Sequence, residues 1–337
     1  MSQPTPKTFE SCTPGRRFAL LGLALSTWSF GGFSHAQTEA WPSKPIKWVV
    51  AYPAGGGSDF LARQIAPQLG KQLGQTLIID NRPGAAGIIG SDAVAKAPPD
   101  GYTLLSGDNG VMVFNSALYK KLPYAPSDFA PVGLMARFPL ILTVNPQSGF
   151  SDAKQWLQAV KANPGKYSYA SAGIGSPHHL AMEMIKEKTQ SFIVHVPYRG
   201  TAFAVQDLMS GVVPMAILDC AAGLPQIRAG KLRALAVLST QRLKQLPEVP
   251  TFEELGLKGL EVSAWQGLFL PKSTPEAIVK RMSSEMQKAL AQPELKARLE
   301  DFGLEVSASD GPALARWIQQ ETQSWHALIK NRNLSAD

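Results

Sequence analysis

Apolar and polar residues alternate along most of the chain in blocks of two kinds. Short apolar runs have the length of buried strands, and the longer amphipathic runs between them have the spacing of surface helices. We predict strands at IKWVVAY, TLIID, YTLLS, LILTV, YSYAS, FIVHV, PMAIL and RALAV. We predict helices at 60–73, 88–95, 112–119, 151–163, 178–188 and 202–209. This alternation is typical of an α/β protein with largely parallel sheets.

The pattern changes near the C-terminus, where three helical segments follow one another at 275–291, 294–302 and 312–330. The last segment carries an apolar stripe at helical spacing. The stripe consists of Leu314, Trp317, Ile318, Trp325 and Leu328. A surface helix docks its apolar face on the rest of the protein, so we interpret this stripe as core packing instead of a ligand cage.

The N-terminus has the pattern of a signal peptide. Arg16 and Arg17 precede the apolar run FALLGLALSTWSFGGF, and Ser34-His35-Ala36 fits a small-residue cleavage site. We therefore predict a leader at 1–36, cleavage near Ala36/Gln37 and a periplasmic mature chain, with the export route left open. No later run is long enough to span a membrane, and Cys220 is the only cysteine after the leader, so no internal disulfide is expected.

The formal net charge is +7, and the basic residues are spread along the chain with no cluster interleaved with aromatic residues. This distribution argues against a nucleic-acid partner. A mild positive excess instead suits a small anionic ligand.

A strand that ends in a Gly-rich turn and enters a helix occurs twice, at VVAYPAGGGSDFLAR and YSYASAGIGSPHHLAME. A helix N-terminus offers unpaired N–H groups and a partial positive charge, so each turn could hold an anion. Each could also be a plain tight connection, with Asp59 as an N-cap in the first. A phosphate loop needs Lys directly before its Ser or Thr, whereas here Gly57 precedes Ser58 and the acid Asp59 follows it. A dinucleotide-binding motif is excluded because His178 stands in place of its third glycine. We expect a carboxylate held by neutral donors, and no cofactor.

Catalytic patterns are thin. The chain has no G-x-S-x-G and no H-E-x-x-H motif. His179 and Glu183 lack a third metal ligand, His195 lies in an apolar run, and Cys220 has no marked base. We therefore predict no enzyme and no metal site. A secreted hydrolase using Ser58 or Ser176 is the alternative, and it needs a histidine and an acid near one of these hydroxyls.

Six segments carry a family resemblance: AYPAGGGSDFLAR, DNRPGAAGIIGSDAVAKAPPDGYTLL, LYKKLPYAPSDFAPVGLMA, YASAGIGSPHHLAMEM, HVPYRGTAFAVQDLMSG and RAGKLRALAVLSTQRLKQLPEVPTFEELGL. From about Trp41 to the C-terminus the chain resembles the Bug proteins, the TctC-like extracytoplasmic receptors of tripartite tricarboxylate transporters. The resemblance implies a type II-like periplasmic binding protein fold, with two α/β domains around a hinged ligand cleft. Domain 1 would comprise 44–143 plus 266–337, and domain 2 would comprise 144–265.

The resemblance also implies partners and a ligand site. The partners would be a small organic acid and two integral membrane subunits, one small and one large, with the receptor a monomer; a sensory receptor for a membrane kinase is the alternative. The implied ligand-binding residues are Ala54, Gly55, Gly56, Ser58 and Asp59 in the first loop, Ser171, Ala172, Gly173, Gly175, Ser176 and His178 in the second, and Tyr198 and Asp219 at the cleft. Asp219 could equally be a helix cap, and Arg199 a solvated surface residue.

Two departures from the family pattern bear on the ligand. Val111, Met112, Val113, Phe114 and Asn115 stand where many members read Thr-His-Ala-x-Asn, so apolar residues replace a Thr-His pair, and Phe203 replaces a common proline. If these residues line the far end of the cleft, that end is apolar. We therefore favour an aromatic carboxylate or dicarboxylate, with an aliphatic di- or tricarboxylate or an amino acid as the alternative.

Overall fold

The computed structural model describes residues 41–336, and the predicted signal peptide lies outside them. The strands are β1 (Ile46–Val50), β2 (Leu77–Asn81), β3 (Thr103–Asp108), β4 (Phe129–Val144), β5 (Ser168–Ser171), β6 (Val194–Pro197), β7 (Met215–Asp219), β8 (Arg233–Val237), β9 (Ser263–Pro271) and β10 (Glu305–Val306). The helices are α1 (Gly57–Leu73), α2 (Ile88–Ala95), α3 (Asn115–Leu118), α4 (Ala153–Ala162), α5 (Pro177–Thr189), α6 (Thr201–Met209), α7 (Cys220–Arg228), α8 (Glu276–Leu290), α9 (Pro293–Asp301) and α10 (Gly311–Asn331).

All these strands belong to one mixed sheet in the order β2-β1-β3-β9-β4-β7-β5-β6, with β8 and β10 also paired to β4. The long strand β4 joins two regions of this sheet. Its first part, Phe129–Pro139, runs antiparallel to β9, and its last part, Leu140–Val144, pairs with β7 and β8. We call β1, β2, β3, β9, β10 and the first part of β4 the first sheet region, and the remaining strands the second sheet region.

The sheet is less parallel than the sequence pattern predicts. β1 lies parallel between β2 and β3, and β5 lies parallel between β6 and β7, as expected of strands connected by helices. The antiparallel pair β4 and β9 in the middle was not predicted, and only the end of β4 was. Gln266 and Gly267 interrupt the apolar run of β9, which hides the strand from a search for continuous apolar residues.

One helical prediction needs correction, and one helix was missed. The segment predicted as one helix at 112–119 is a π-helical turn, Gly110–Phe114, followed by the short helix α3. Helix α7 was not predicted, and it contains Pro225. No helix within residues 41–336 combines the length and hydropathy needed to cross a membrane.

The C-terminal helices pack as the apolar stripe predicts. Leu314 and Trp325 of α10 are buried. The guanidinium of Arg137 lies over the ring of Trp317, with its Cζ 4.1 Å from the ring centroid. Trp325 also makes an edge contact with Phe114. These contacts agree with core packing for the stripe.

Candidate functional site

A small cavity of about 40 Å³ lies where the ends of β1, β3, β5 and β7 meet the N-termini of the following helices. We call it the inner cavity. Its lining consists of Tyr52, Pro53, Gly56, Gly57, Ser58, Asp108, Phe138, Ala172, Ser176, Pro177, His178, Thr201, Ala202, Asp219, Ala264 and Gln266. Both sheet regions contribute to it, and the lining contains no Lys or Arg. This position agrees with the rule that ligands of open α/β sheets bind beyond the carboxyl ends of the strands.

Two helix N-termini at the inner cavity have no side-chain cap. The N-cap of α1 is Gly56 and that of α6 is Gly200, and neither helix receives a capping hydrogen bond from a side chain. They face each other closely, since a Cβ placed on Gly56 would lie 4.0 Å from the Cβ of Thr201. The first-turn N–H groups and the dipoles of both helices therefore favour an anion between them.

Asp59 supports the first loop without lining the inner cavity. It is not the N-cap of α1, which corrects the alternative drawn from the sequence. Its carboxylate accepts hydrogen bonds from Gly55 N (2.9 Å), Arg63 Nε (2.9 Å) and Asn81 Nδ2 (3.0 Å). Burial alone would raise the pKa of Asp59, but these hydrogen bonds outweigh it and hold the pKa below its usual value. Asp59 therefore stays ionised and fixes the turn.

Of the other first-loop residues, Ser58 and Gly56 line the inner cavity, and Ala54 and Gly55 are exposed outside it. The hydroxyl of Ser58 accepts a hydrogen bond from Gln266 Nε2 at 2.7 Å. Gly57, which the sequence analysis did not select, is buried so closely that a Cβ there would lie 2.7 Å from Asp219 Oδ1. Gly57 is thus the glycine whose missing side chain the geometry requires.

The second loop uses most of its polar groups internally. Ser176 is the N-cap of α5, where its hydroxyl accepts from His179 N (3.3 Å) and donates to Gly173 O (2.7 Å). Pro177 at the first helical position has no N–H to offer. Ala172, Ser176 and His178 line the inner cavity, whereas Ser171 and Gly175 do not. This loop forms a wall of the inner cavity more than a set of donors.

A stack of neutral rings supports the second loop from behind. The rings of His179 and His195 stack at 4.2 Å, and that of Tyr169 stacks on His195 at 4.8 Å. His195 Nε2 lies 2.7 Å from Ser171 Oγ, and His179 Nδ1 accepts from Gly175 N. Burial lowers the pKa of His179 to about 4 and that of His195 to about 3, so both rings are uncharged at neutral pH.

Glu183 is an ion-pair partner instead of a metal ligand. Its carboxylate contacts Lys186 Nζ at 2.5 Å and Arg332 of the C-terminal segment at 2.9 Å. Among residues 41–336 no group of three His, Cys, Asp or Glu side chains is arranged to hold a metal. Cys220 is buried, and its pKa lies well above the usual value, first because of burial and then because of the neighbouring Asp219. The thiol has neither the exposure nor the charge state of a nucleophile.

Two acids lie on the wall of the inner cavity. Asp219 is both a cleft residue and a helix cap, since Oδ1 accepts from Ala222 N at 3.0 Å and Oδ2 lies 3.3 Å from His178 Nε2. Asp108, which the sequence analysis missed, ends β3 and accepts from Val111 N at 2.9 Å. Burial raises the pKa of Asp108, although hydrogen bonds from Val111 N and the hydroxyl of Tyr52 oppose the rise.

A larger cavity of about 730 Å³ adjoins the inner cavity and shares Tyr52, Pro53 and Ala172 with it. We call it the outer cavity. Its further lining includes Gly173, Tyr119, Ile174, Tyr198, Arg199 and Phe203. Phe203 is 50% exposed and Ile174 is 37% exposed, and the hydroxyl of Tyr198 donates to Asp207 at 2.8 Å. The outer cavity therefore presents apolar and aromatic surface to a ligand.

The residues on which the apolar prediction chiefly rested lie elsewhere. Val111, Met112, Val113 and Phe114 are each at most 1% exposed and line neither cavity. They belong to the π-helical turn and pack into the core. Phe203, the weaker of the two signals, is the one that the structure places at a cavity.

Several residues that form the site were missed, and two of them carried a signal: Gly200, the N-cap of α6, and Asp108, which lines the inner cavity. Gly200 precedes α6 in YRGTAFAV just as Gly56 precedes α1, which is the same glycine-before-helix pattern. Asp108 follows the apolar run YTLLS, where a strand end is expected. Gln266 could not be found in this way, because its strand was not predicted.

Solved structures share this fold over most of the chain. A periplasmic binding protein, BugD, is 34% identical, with 88% of this chain and 99% of that chain aligned at a TM-score of 0.84. An R. palustris protein solved with adipate is 32% identical, with 88% of this chain and 99% of that chain aligned at a TM-score of 0.85. MatC of Rhodopseudomonas palustris, solved with bound malate, is 33% identical, with 86% of this chain and 99% of that chain aligned at a TM-score of 0.81. The fold and the cavity thus define a periplasmic solute-binding protein, not an enzyme.

The chain belongs to the tripartite tricarboxylate transporter family receptors, TctC, whose pattern matches residues 61–334. A UPF0065 protein in the tcbD-tcbE intergenic region of Pseudomonas sp. strain P51 is 42% identical over 96% of both chains. Protein BugT of Bordetella pertussis is 34% identical over 94% of this chain and 97% of its own. The resemblance to the Bug proteins noted in the sequence is therefore confirmed, as is the periplasmic binding protein fold.

Proposed function

We propose that the protein captures a small organic carboxylate with the carboxylate group in the inner cavity. The observation that carries this proposal is the pair of uncapped helix N-termini, α1 and α6, which face each other at a cavity whose lining contains no Lys or Arg. Neutral N–H donors hold an anion without a desolvated ion pair, so the ligand can be released for transport. The adipate and malate in two related structures support a carboxylate ligand.

The inner cavity is too small for a whole ligand, since about 40 Å³ holds only a few water-sized groups. We propose that the ligand extends into the outer cavity and that the protein opens to admit it. The moving bodies would be domain 1 (44–143 plus 266–337) and domain 2 (144–265), with hinges where the chain crosses near Leu142–Asn145 and Val262–Gly267. The passage of β4 from one sheet region to the other supports a crossing near the first of these positions.

The apolar surface of the outer cavity favours an aromatic body on the carboxylate. Ile174 and Phe203 are exposed there, and Tyr119 and Tyr198 add two more aromatic side chains. Burying an aromatic ring against such a surface stabilises a complex more than exposing a second hydrated carboxylate there. An aliphatic di- or tricarboxylate or an amino acid remains the alternative ligand.

The closed, loaded receptor would then deliver this acid to a tripartite tricarboxylate-type transporter with one small and one large membrane subunit. We propose that it does so as a monomer in the periplasm, after removal of the leader. Family membership supports this assignment. Uptake of the labelled acid by cells with and without the gene tests the delivery step, and equal uptake would contradict it.

Calorimetry and thermal shift on the protein purified from the periplasm test the capture step. Each acid is paired with its neutral amide, which keeps the shape and removes the charge. We expect the acids to stabilise the fold by about 2.7 kcal/mol at a hundredfold excess over Kd, and the amides to do nothing comparable. If no acid binds, or if the amides bind equally well, the carboxylate proposal is wrong.

A further inference from the structure

One wall of the inner cavity consists of hydrogen-bond acceptors, whereas a simple anion requires donors. Asp108 of β3 and Gln266 of β9 are direct cross-strand partners, so their side chains lie side by side. Asp219 of β7 lies on the same cavity. All three side chains are at least 95% buried, with exposed fractions of 4%, 4% and 3%.

The hydrogen bonds of this wall are incomplete. Gln266 Nε2 donates to Ser58, which leaves Gln266 Oε1 as a buried acceptor with no partner. His178 Nε2 lies beside Asp219, and His178 Nδ1 is buried with no partner. Buried polar atoms normally have partners, so an unpaired acceptor in a ligand cavity points to a donor on the ligand.

The charges lead to the same conclusion. Two carboxylates, Asp108 and Asp219, face one histidine, and no Lys or Arg lines the inner cavity. A ligand carboxylate adds a further negative charge, which the two buried carboxylates of the wall repel. An ammonium group on the ligand would offset this repulsion and bring three N–H donors to the wall.

We propose that the ligand is a carboxylate that also bears an ammonium group, and that Asp108, supported by Gln266 and Asp219, determines this specificity. The carboxylate lies at the uncapped ends of α1 and α6, and the ammonium lies at the acceptor wall. This inference rests on the proposed carboxylate capture and names the class of acid that the site selects. It is compatible with an aromatic or an aliphatic body in the outer cavity.

Matched ligand pairs test the inference by calorimetry on the full mature protein. The pairs are phenylalanine with 3-phenylpropanoate, and glutamate with glutarate, which differ only in the ammonium group; phenethylamine tests the ammonium alone. For the pair whose body fits, we expect the amino acid to bind at least about tenfold more tightly than the deaminated acid, because a buried charge–charge hydrogen bond contributes more than about 1.4 kcal/mol. The amine alone should bind far more weakly than the amino acid.

The variant Asp108→Asn keeps the shape of the side chain and removes its charge. It should weaken amino-acid binding about 10- to 100-fold, whereas the deaminated acid should bind as tightly as before or more tightly, because one repelling charge is lost. Asp301→Asn, an exposed acid near the end of α9, is the matched control and should change neither. If Asp108→Asn does not fold, the amino-acid preference of the unaltered protein decides the question.

The outcomes separate this inference from the function on which it rests. Deaminated acids that bind as tightly as the amino acids, or an Asp108→Asn variant with an unchanged preference, would overturn the role of Asp108 while carboxylate capture stands. Tighter binding of dicarboxylates by Asp108→Asn, together with unchanged amino-acid binding, would show that Asp108 repels a second carboxylate and recruits no ammonium. If neither member of any pair binds and the wider acid screen also fails, carboxylate capture is wrong and this inference falls with it.

Discussion

The two Gly-rich loops resemble each other in sequence but differ in what they leave free. In the first, Gly56 caps α1 with no side chain, so the N–H groups of the first helical turn stay available. In the second, the Ser176 hydroxyl caps α5 and Pro177 removes an N–H from its first turn. Two copies of one sequence pattern therefore do not make two equivalent anion sites.

The counterpart of the first loop is the start of α6. Gly200 stands at its N-cap, and Thr201 and Ala202 line the inner cavity next to the start of α1. The second loop instead forms a rigid wall held by its internal hydrogen bonds and the histidine stack. The anion donors thus come from one Gly-rich loop and from a helix start that lacks the triple-glycine pattern.

The largest effect on binding should come from Gly57→Ala in the first loop. The new Cβ would lie 2.7 Å from Asp219 Oδ1, so the Asp219 carboxylate must leave its position at the cavity and at the start of α7. We expect ligand affinity to fall more than about 100-fold, which is more than about 2.7 kcal/mol. Calorimetry with the best ligand of the acid screen measures it.

Gly223→Ala, in helix α7, is the control for this substitution. Its Cβ would meet no atom closer than 3.5 Å and Gly223 lines neither cavity, so affinity should change by less than about fivefold. Equal losses from both substitutions would mean that the loss does not come from the contact between Gly57 and Asp219, and the role given to that contact would be wrong.

Acid should loosen the second loop before the first. His179 and His195 have pKa values near 4 and 3 in the folded protein, below the unfolded value, so the unfolded chain binds more protons. The contribution of the two neutral histidines to the free energy of unfolding is constant above about pH 6.5 and is lost as the pH falls below that value. Between pH 7 and pH 5 the free energy of unfolding should therefore fall by about 2 to 4 kcal/mol. The depressed pKa of Asp59 protects the first loop until the pH falls below about 4. Urea unfolding at the two pH values measures the loss.

His195→Gln tests the assignment of this pH dependence. The variant removes one of the two titrating rings and keeps a polar group near Ser171, so the loss between pH 7 and pH 5 should be roughly halved. Glu183 and Lys186 lie beside the stack and are unchanged in this variant. An unaltered loss of stability would assign the titration to other groups.

Thr201→Pro should separate the contribution of the Thr201 backbone N–H to ligand binding from that of the Thr201 hydroxyl. Proline is tolerated at the first position of a helix but has no N–H, so one donor at the inner cavity disappears. We expect the carboxylate to bind about tenfold more weakly, in line with about 1.5 kcal/mol for a hydrogen bond to a charged group. Thr201→Ala keeps the N–H and should cost less than about threefold in the same titration; the reverse order would assign the contact to the hydroxyl.

Much of the fold could be predicted because its signals are local. The strands β1, β2, β3, β5, β7 and β8 are apolar runs bounded by Gly, Pro or polar residues, and most helices follow from their periodicity. The pairing of β4 with β9 could not be predicted, because it joins residues more than 120 positions apart and because Gln266 and Gly267 interrupt the apolar run of β9. Antiparallel pairing at that distance leaves no mark in a local window.

The site was predictable to the extent that it lies on glycine turns. Gly56 and Ser58 lie on a glycine turn that a single sequence shows, whereas Asp219 was placed at the cavity only by the family resemblance. Whether a cap is free or used is a property of hydrogen bonds within the fold, and the sequence did not separate Gly56 from Ser176 in this respect. Asp108 and Gln266 needed the register of two strands that meet across the chain.

The smallest effects distinguish the two loop serines and test the comparison most directly. Ser176→Ala removes the cap of α5, so it should lower the free energy of unfolding by about 1 kcal/mol and leave ligand affinity within about twofold. Ser58→Ala removes a hydroxyl that lines the inner cavity and anchors Gln266, so it should weaken binding about fivefold. Urea unfolding and calorimetry on the same two proteins check both numbers. If Ser176→Ala weakens binding more than Ser58→Ala does, the second loop is a donor loop after all, and the difference drawn between the two loops is wrong.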